Sequence, residues 1–165
     1  MTGSDRGWSR TIAACFLGYI VQAVVNTFVP LLFLTFRSEF SLSLGQISFL
    51  ITCNFGVQLL TDLLSARWVD RVGYRVSIVA AHFFAAAGLA GLAFVPDLFR
   101  NHYAGLLLCV ALYAIGGGLT EVLVSPIMEA CPTRRKAAAM GLLHSFYCWG
   151  LVFVVLVSTL FFRLA

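Results

Sequence analysis

Five long apolar runs separated by short polar stretches constrain this chain more than any other feature. They cover residues 11–35, 43–64, 76–95, 103–128 and 137–162, and none of them contains a lysine or an arginine. Each is close to the ~20 residues that a helix needs to cross a hydrocarbon layer about 30 Å thick. The stretches between them, 36–42, 65–75, 96–102 and 129–136, are too short to hold a folded soluble domain. With 61% hydrophobic and 11% charged residues in 165 and a mean hydropathy of +0.94, the chain carries more apolar surface than one aqueous core of that size can bury. Those values exclude a disordered chain, a disulfide-rich module and an ordinary soluble enzyme. Helices are the expected spanning element, because lipid offers no partner to an open backbone amide and the alternating ten-residue segments of a barrel are absent.

Charge sets the expected direction. Under strict alternation Arg6, Arg10, Arg67, Arg71, Arg75, Arg134, Arg135 and Lys136 fall on one side, and Arg37, Arg100 and Arg163 on the other. The excess predicts a multi-pass protein of the cell membrane with its N-terminus in the cytoplasm and its C-terminus outside. Trp8, Trp68, Tyr74 and Tyr103 stand at the expected interfaces. The first run is too long for the apolar core of a cleaved leader and is read as an ordinary first span. The net charge of +4 is dispersed in small groups, so it does not point to nucleic acid. Cys15, Cys53, Cys109, Cys131 and Cys148 form no CxxC pair and read as small apolar side chains, with neither a disulfide nor a metal site expected. No cofactor loop is present either, since Gly116, Gly117 and Gly118 lie inside an apolar run and suit close helix packing.

Polar side chains inside a bilayer cost free energy unless they face a cavity or a partner, which makes each of them a candidate for function. Glu121 lies 12 residues before Thr133 and His144 lies 11 after it, so antiparallel fourth and fifth helices would bring the two level. Such a couple could exchange a proton as the site changes exposure. Tyr19, Gln22 and Asn26 share a face of the first helix, and Asn54, Gln58 and Asp62 follow one another at i, i+4 on the second. Asp62, one or two turns from Arg67, can reach the inner interface and reads as structural at least as readily as functional. His82 near the inner end of the third helix reads as structural. On the fifth helix, Tyr147 shares a face with His144, and Trp149 is too deep for an interfacial anchor; it either packs on a helix or lines a site. No positive group lies within the spans, which favours a neutral or cationic solute. Ala87/Gly91 and Ala114/Gly118 have the spacing that allows helix backbones to approach.

A weak internal echo joins the two ends. Asn26 precedes Pro30 as Glu121 precedes Pro126, and the following apolar runs carry Asn54-Phe55-Gly56 and Tyr147-Cys148-Trp149-Gly150. A three-helix period inverts each successive unit, the arrangement that builds alternating-access carriers around a midplane site. The segment 66–75, Ala66-Arg67-Trp68-Val69-Asp70-Arg71-Val72-Gly73-Tyr74-Arg75, resembles the cytoplasmic signature G-x-L-a-D-r-x-G-r-[RK] of major facilitator superfamily transporters. Asp70, Arg71, Gly73 and Arg75 match it, whereas Ala66 and Tyr74 depart from it. Gly118-Leu119-Thr120-Glu121-Val122-Leu123-Val124-Ser125-Pro126 and Leu143-His144-Ser145-Phe146-Tyr147-Cys148-Trp149-Gly150 resemble the fourth and fifth helices of fucose permease-like sugar:proton symporters. Ser125 stands where that group has Asn, and Asn26 stands where it has a first-helix aspartate.

The resemblance implies an all-α integral membrane protein of five transmembrane helices, the partial N-terminal half of a major facilitator fold whose 3+3 inverted repeat lacks its sixth helix. Residues 1–165 are then one transmembrane domain, a fragment of a twelve-helix carrier whose remainder is its partner, along with lipid, solute and protons. Substrate or proton binding is expected at Glu121, His144, Asn26, Asn54, Gln22, Tyr147 and Trp149, with a cytoplasmic gate at Asp70, Arg71, Gly73 and Arg75. The expected activity is proton-coupled transport of a small polar, sugar-like solute. The alternative is a membrane protein that transports nothing, an assembly partner or an inactive remnant, in which these polar groups point into helix contacts and share no cavity.

Overall fold

The computed structural model describes residues 3–133 and 135–164, with side chains from Trp8 onward apart from that of Ala66. Arg134 and the Arg6 side chain, both used in the charge count, fall outside that description. The described residues form α1 (Gly3–Glu39), α2 (Leu44–Val72), α3 (Tyr74–Gly91), α4 (Val95–Leu98), α5 (His102–Ala130) and α6 (Lys136–Leu164). All but the four-residue α4 are long and apolar enough to cross a membrane, so the chain is a multi-pass membrane protein with five spans.

Local chemistry explains where the helices begin and end. Ser43 and Gln46 cap α2 reciprocally: Ser43 Oγ accepts from the Gln46 amide at 3.2 Å, and Gln46 Oε1 accepts from the Ser43 amide at 2.9 Å. The expected loop at 65–75 is helical on both sides of a single residue. Once α2 leaves the apolar layer, Arg67, Asp70 and Arg71 continue it into water and its backbone groups stay paired. The break comes at Gly73, whose φ of 91° and ψ of 149° suit glycine alone, and its amide still donates to Val69 O at 2.8 Å. The third span stops at Gly91 and not at Val95. Pro96 follows in the first turn of α4, and a proline offers no amide to a preceding turn and restricts the residue before it. Asn101 Oδ1 caps α5 by accepting from the Tyr103 amide at 3.1 Å, and Tyr103 donates its hydroxyl proton to Gln46 O at 3.1 Å, joining the α2 and α5 starts.

The bundle is built around α5, the most deeply buried span. Its three consecutive glycines point about 100° apart and each admits a different neighbour. A Cβ at Gly116 would collide with the Ala85 backbone nitrogen and the Ala81 carbonyl of α3, and one at Gly88 would meet the Tyr113 backbone in return. Gly117 lies under Gln58, Val25 and Gln22 from α2 and α1, and Gly118 faces Gln58 O, Thr61 and Asp62 of α2. The close approach of α3 and α5 thus uses Gly88 and Gly116, while the sequence-expected Gly91 meets the Cys109 thiol and Gly118 turns to α2. On the other flank, Gly150 of α6 seats against Ile20 and Ala23 of α1. Gly56, its counterpart in the sequence echo, faces open space. The helix pairing is reciprocal between the two three-helix units: α6 packs on α1 as α2 packs on α5.

Asp62 packs against α5. Its Oδ1 is buried beside Gly118 and has no hydrogen-bond partner. His82 bonds Ile78 O through Nδ1 at 2.8 Å, a satisfied structural contact. All five cysteines are free.

Substituting Gly116→Ala forces α3 and α5 apart and is expected to destabilise the protein by about 1–3 kcal/mol. Gly141→Ala, on a helix face with open space, should be neutral or stabilising by up to about 1 kcal/mol. Thermal unfolding of the full-length protein in detergent checks the contrast, and equal midpoints would contradict this packing.

Candidate functional site

The hydrophilic side chains of α1, α2, α5 and α6 converge where those helices meet. Seven-residue spacing on α1 aligns Tyr19 and Asn26, with Gln22 between them on the same face. From α5 comes Glu121, and from α6 come His144 and Tyr147. These six side chains line one cavity of about 190 Å³. The depth alignment read from the hairpin at Thr133 therefore places Glu121 and His144 at one cavity, although they do not bond each other. The His144 ring stands edge-on to Tyr19, with centroids 5.3 Å apart, and Tyr147 approaches Tyr19 in the same manner at 6.2 Å.

Hydrogen bonds connect the cavity wall across helices. Gln58 Nε2 on α2 donates to Asn26 Oδ1 at 2.8 Å and to Asn54 Oδ1 at 3.3 Å. Asn26 Nδ2 in turn donates to the Tyr147 hydroxyl oxygen at 3.4 Å. Gln22 Nε2 donates to Glu121 Oε2 at 3.5 Å, a long contact, and the Tyr19 hydroxyl and Ser125 Oγ lie 2.9 Å apart. Gln22, Asn54 and Gln58 are buried, whereas Glu121 and His144 are exposed to the cavity side of the bundle. Gln22 Oε1 is buried without a partner. In chemical terms the cavity offers one carboxyl, one imidazole, two phenols and two amides, with no lysine or arginine in its wall. Among the described residues no group of three or more His, Cys, Asp and Glu is placed to hold a metal ion.

Two of the seven expected binding residues stand apart from the cavity. Asn54 touches the network through Gln58 alone. Trp149 is 73% exposed and lines an apolar groove together with Ile20, Phe146, Gly150 and Phe153. Two residues of helix turn a side chain by about 200°, so Trp149 faces away from the wall that Tyr147 lines. Tyr19, Gln58 and Ser125 join the site in return. The first two lie on polar faces visible in the sequence, and Ser125 follows Glu121 by four residues, one turn along the same face. Asp70, Arg71 and Arg75 are exposed around Gly73, at the junction of α2 and α3 and remote in sequence from the cavity residues.

A larger cavity, about 570 Å³, is a separate apolar groove between α1, α3 and α5, lined by residues such as Cys15, Val21, Ile78 and Ile127. Its single imidazole, His82, is the one tied to Ile78 O.

Residues 12–165 match the family model of the Major Facilitator Superfamily. No solved structure matches the chain.

The two α1 amides should respond differently to replacement. Asn26→Leu leaves a Gln58 donor and the Tyr147 hydroxyl short of partners and is expected to cost about 1 kcal/mol or more. Gln22→Leu removes an already unpartnered buried oxygen together with one long bond, and stability should hold or rise. Equal losses in detergent unfolding of the full-length variants would contradict the network.

Proposed function

Because the chain belongs to the Major Facilitator Superfamily, a family of membrane transporters, we propose that it forms part of a secondary carrier that moves a small polar, sugar-like solute by proton coupling and alternating access. The observation that carries this reading is the placement of Glu121 in a cavity shared by three helices, without a lysine or arginine beside it. Such a carboxyl can take up a proton from whichever side the cavity opens to, and its neutral form crosses the apolar state at lower cost than the anion. His144 in the same wall adds a ring nitrogen that can donate or accept a hydrogen bond. An anionic solute would meet Glu121 with no lysine or arginine to offset the repulsion, so a neutral or cationic one is favoured. Hydroxyl-rich molecules suit a wall of amides and phenols, which both donate and accept.

The cavity's 190 Å³ is below the ~300 Å³ at which ordinary ligand sites begin. That size agrees with a site completed by a facing half of the carrier, which in this reading includes a sixth helix and a second six-helix bundle. The excess of basic residues on the side of the N-terminus supports a cytoplasmic N-terminus. In the same reading, Asp70, Arg71 and Arg75, held at the helix junction that Gly73 makes possible, pair across the closed cytoplasmic face and separate on opening.

The test is uptake of tritiated hexoses and pentoses into proteoliposomes containing the full-length protein under an imposed pH gradient. Gradient-driven accumulation of at least one sugar is expected, and Glu121→Gln should reduce it to the level of empty vesicles. Accumulation unaltered by Glu121→Gln, or no gradient-driven uptake of any sugar, would overturn the reading.

A further inference from the structure

Gln58 is not among the side chains that line the polar cavity, yet its amide meets two others. It is 6% exposed, and Gly117 of α5 makes the room it occupies: a Cβ there would lie 3.1 Å from Gln58 Nε2. The two hydrogens of that nitrogen go to Asn54 Oδ1 on its own helix and Asn26 Oδ1 on α1. An amide whose oxygen is held in this way must turn its nitrogen the other way, and Asn26 Nδ2 does so, toward the Tyr147 hydroxyl. The phenol oxygen then serves as acceptor, which leaves the phenol hydrogen free for the cavity. Rotating Asn26 by 180° would set its NH2 group against the NH2 of Gln58 and its oxygen against the phenol oxygen.

We propose that Gln58 is a positioning residue that fixes the direction of a hydrogen-bond chain running from α2 through Asn26 to Tyr147, so that the cavity wall facing Glu121 presents donors. The proposal rests on the transport reading for its purpose. In that context it specifies the solute further: an acceptor oxygen of hydroxyl, ether or carbonyl type meets Tyr147, and a hydroxyl or ammonium donor meets Glu121. A solute carrying an ammonium at the Tyr147 end would face hydrogens with hydrogens.

The direction of the chain can be read without any solute. The full-length protein, labelled with 15N asparagine and held in lipid nanodiscs, gives side-chain amide signals, with that of Asn26 identified by its loss in Asn26→Ala. If Asn26 donates to Tyr147, Tyr147→Phe shifts the Asn26 nitrogen and proton resonances. In a Gln58→Glu background the carboxylate offers only acceptors, the Asn26 amide turns its NH2 group toward it, and Tyr147→Phe should no longer shift that signal. Gln58→Leu, which keeps similar bulk and removes both donors, serves if the glutamate variant does not fold, and should weaken the response. An Asn26 signal indifferent to Tyr147→Phe in the wild type, or one that responds equally in both Gln58 variants, would overturn the proposal. Intact signals in a protein that accumulates no sugar would overturn the transport reading and leave the positioning role standing.

Discussion

The close backbone approach around α5 is the constraint on which the rest depends. A helix surrounded by three others needs three faces without bulk, and consecutive glycines supply them because each residue turns the helix by about 100°. Gly116 admits α3, Gly117 admits the amides of α1 and α2, and Gly118 admits the α2 backbone and Asp62. In lipid the hydrophobic effect does not drive helices together, so packing at such contacts and hydrogen bonds between helices take its place. The glycines therefore shape the site as well as the bundle. Any side chain at Gly117 would occupy the space in which Gln58 and Gln22 lie.

The polar network follows from that geometry. A lone asparagine or glutamine facing acyl chains is costly, and four amides placed on two neighbouring helices can satisfy much of their need mutually. Asn54, Gln58, Asn26 and Tyr147 form a continuous chain from α2 to α6, and Gln22 reaches Glu121 on α5. Among the described residues three buried side-chain oxygens lack a partner, Gln22 Oε1, Asp62 Oδ1 and Thr133 Oγ1, and the side chains of the first two lie at the Gly117–Gly118 contact. Of these, Gln22 lines the polar cavity, where a membrane transport protein has use for groups not yet fully engaged.

Much of the fold was legible because hydropathy over twenty residues integrates many small free energies, and five such runs admit few alternatives to five helices. Local helix ends were less legible. The apolar run through Val95 conceals a stop whose cause, Pro96, lies beyond it, and the charged stretch after Leu64 reads as loop although helical hydrogen bonding does not require apolar side chains. In the site, helical spacing placed Tyr19, Gln22 and Asn26 together and set Glu121 level with His144. The same spacing argues against Trp149, since two residues from Tyr147 is the far side of a helix. What spacing could not give is the partner of each amide. That Gln58 bridges Asn26 and Asn54 depends on side-chain torsions and on the missing Cβ of Gly117, neither of which leaves a periodic trace.

The central claim is that the protein turns its scarce polar side chains away from lipid and toward water. Single cysteines at His144, Tyr147, Trp149 and Phe153, introduced into a full-length variant whose native cysteines are replaced, report this directly through their reaction with a membrane-impermeant thiol reagent applied to both faces. Positions 144 and 147 should be labelled, and positions 149 and 153 should resist. Labelling of Trp149→Cys and Phe153→Cys with protection of the other two would contradict the account.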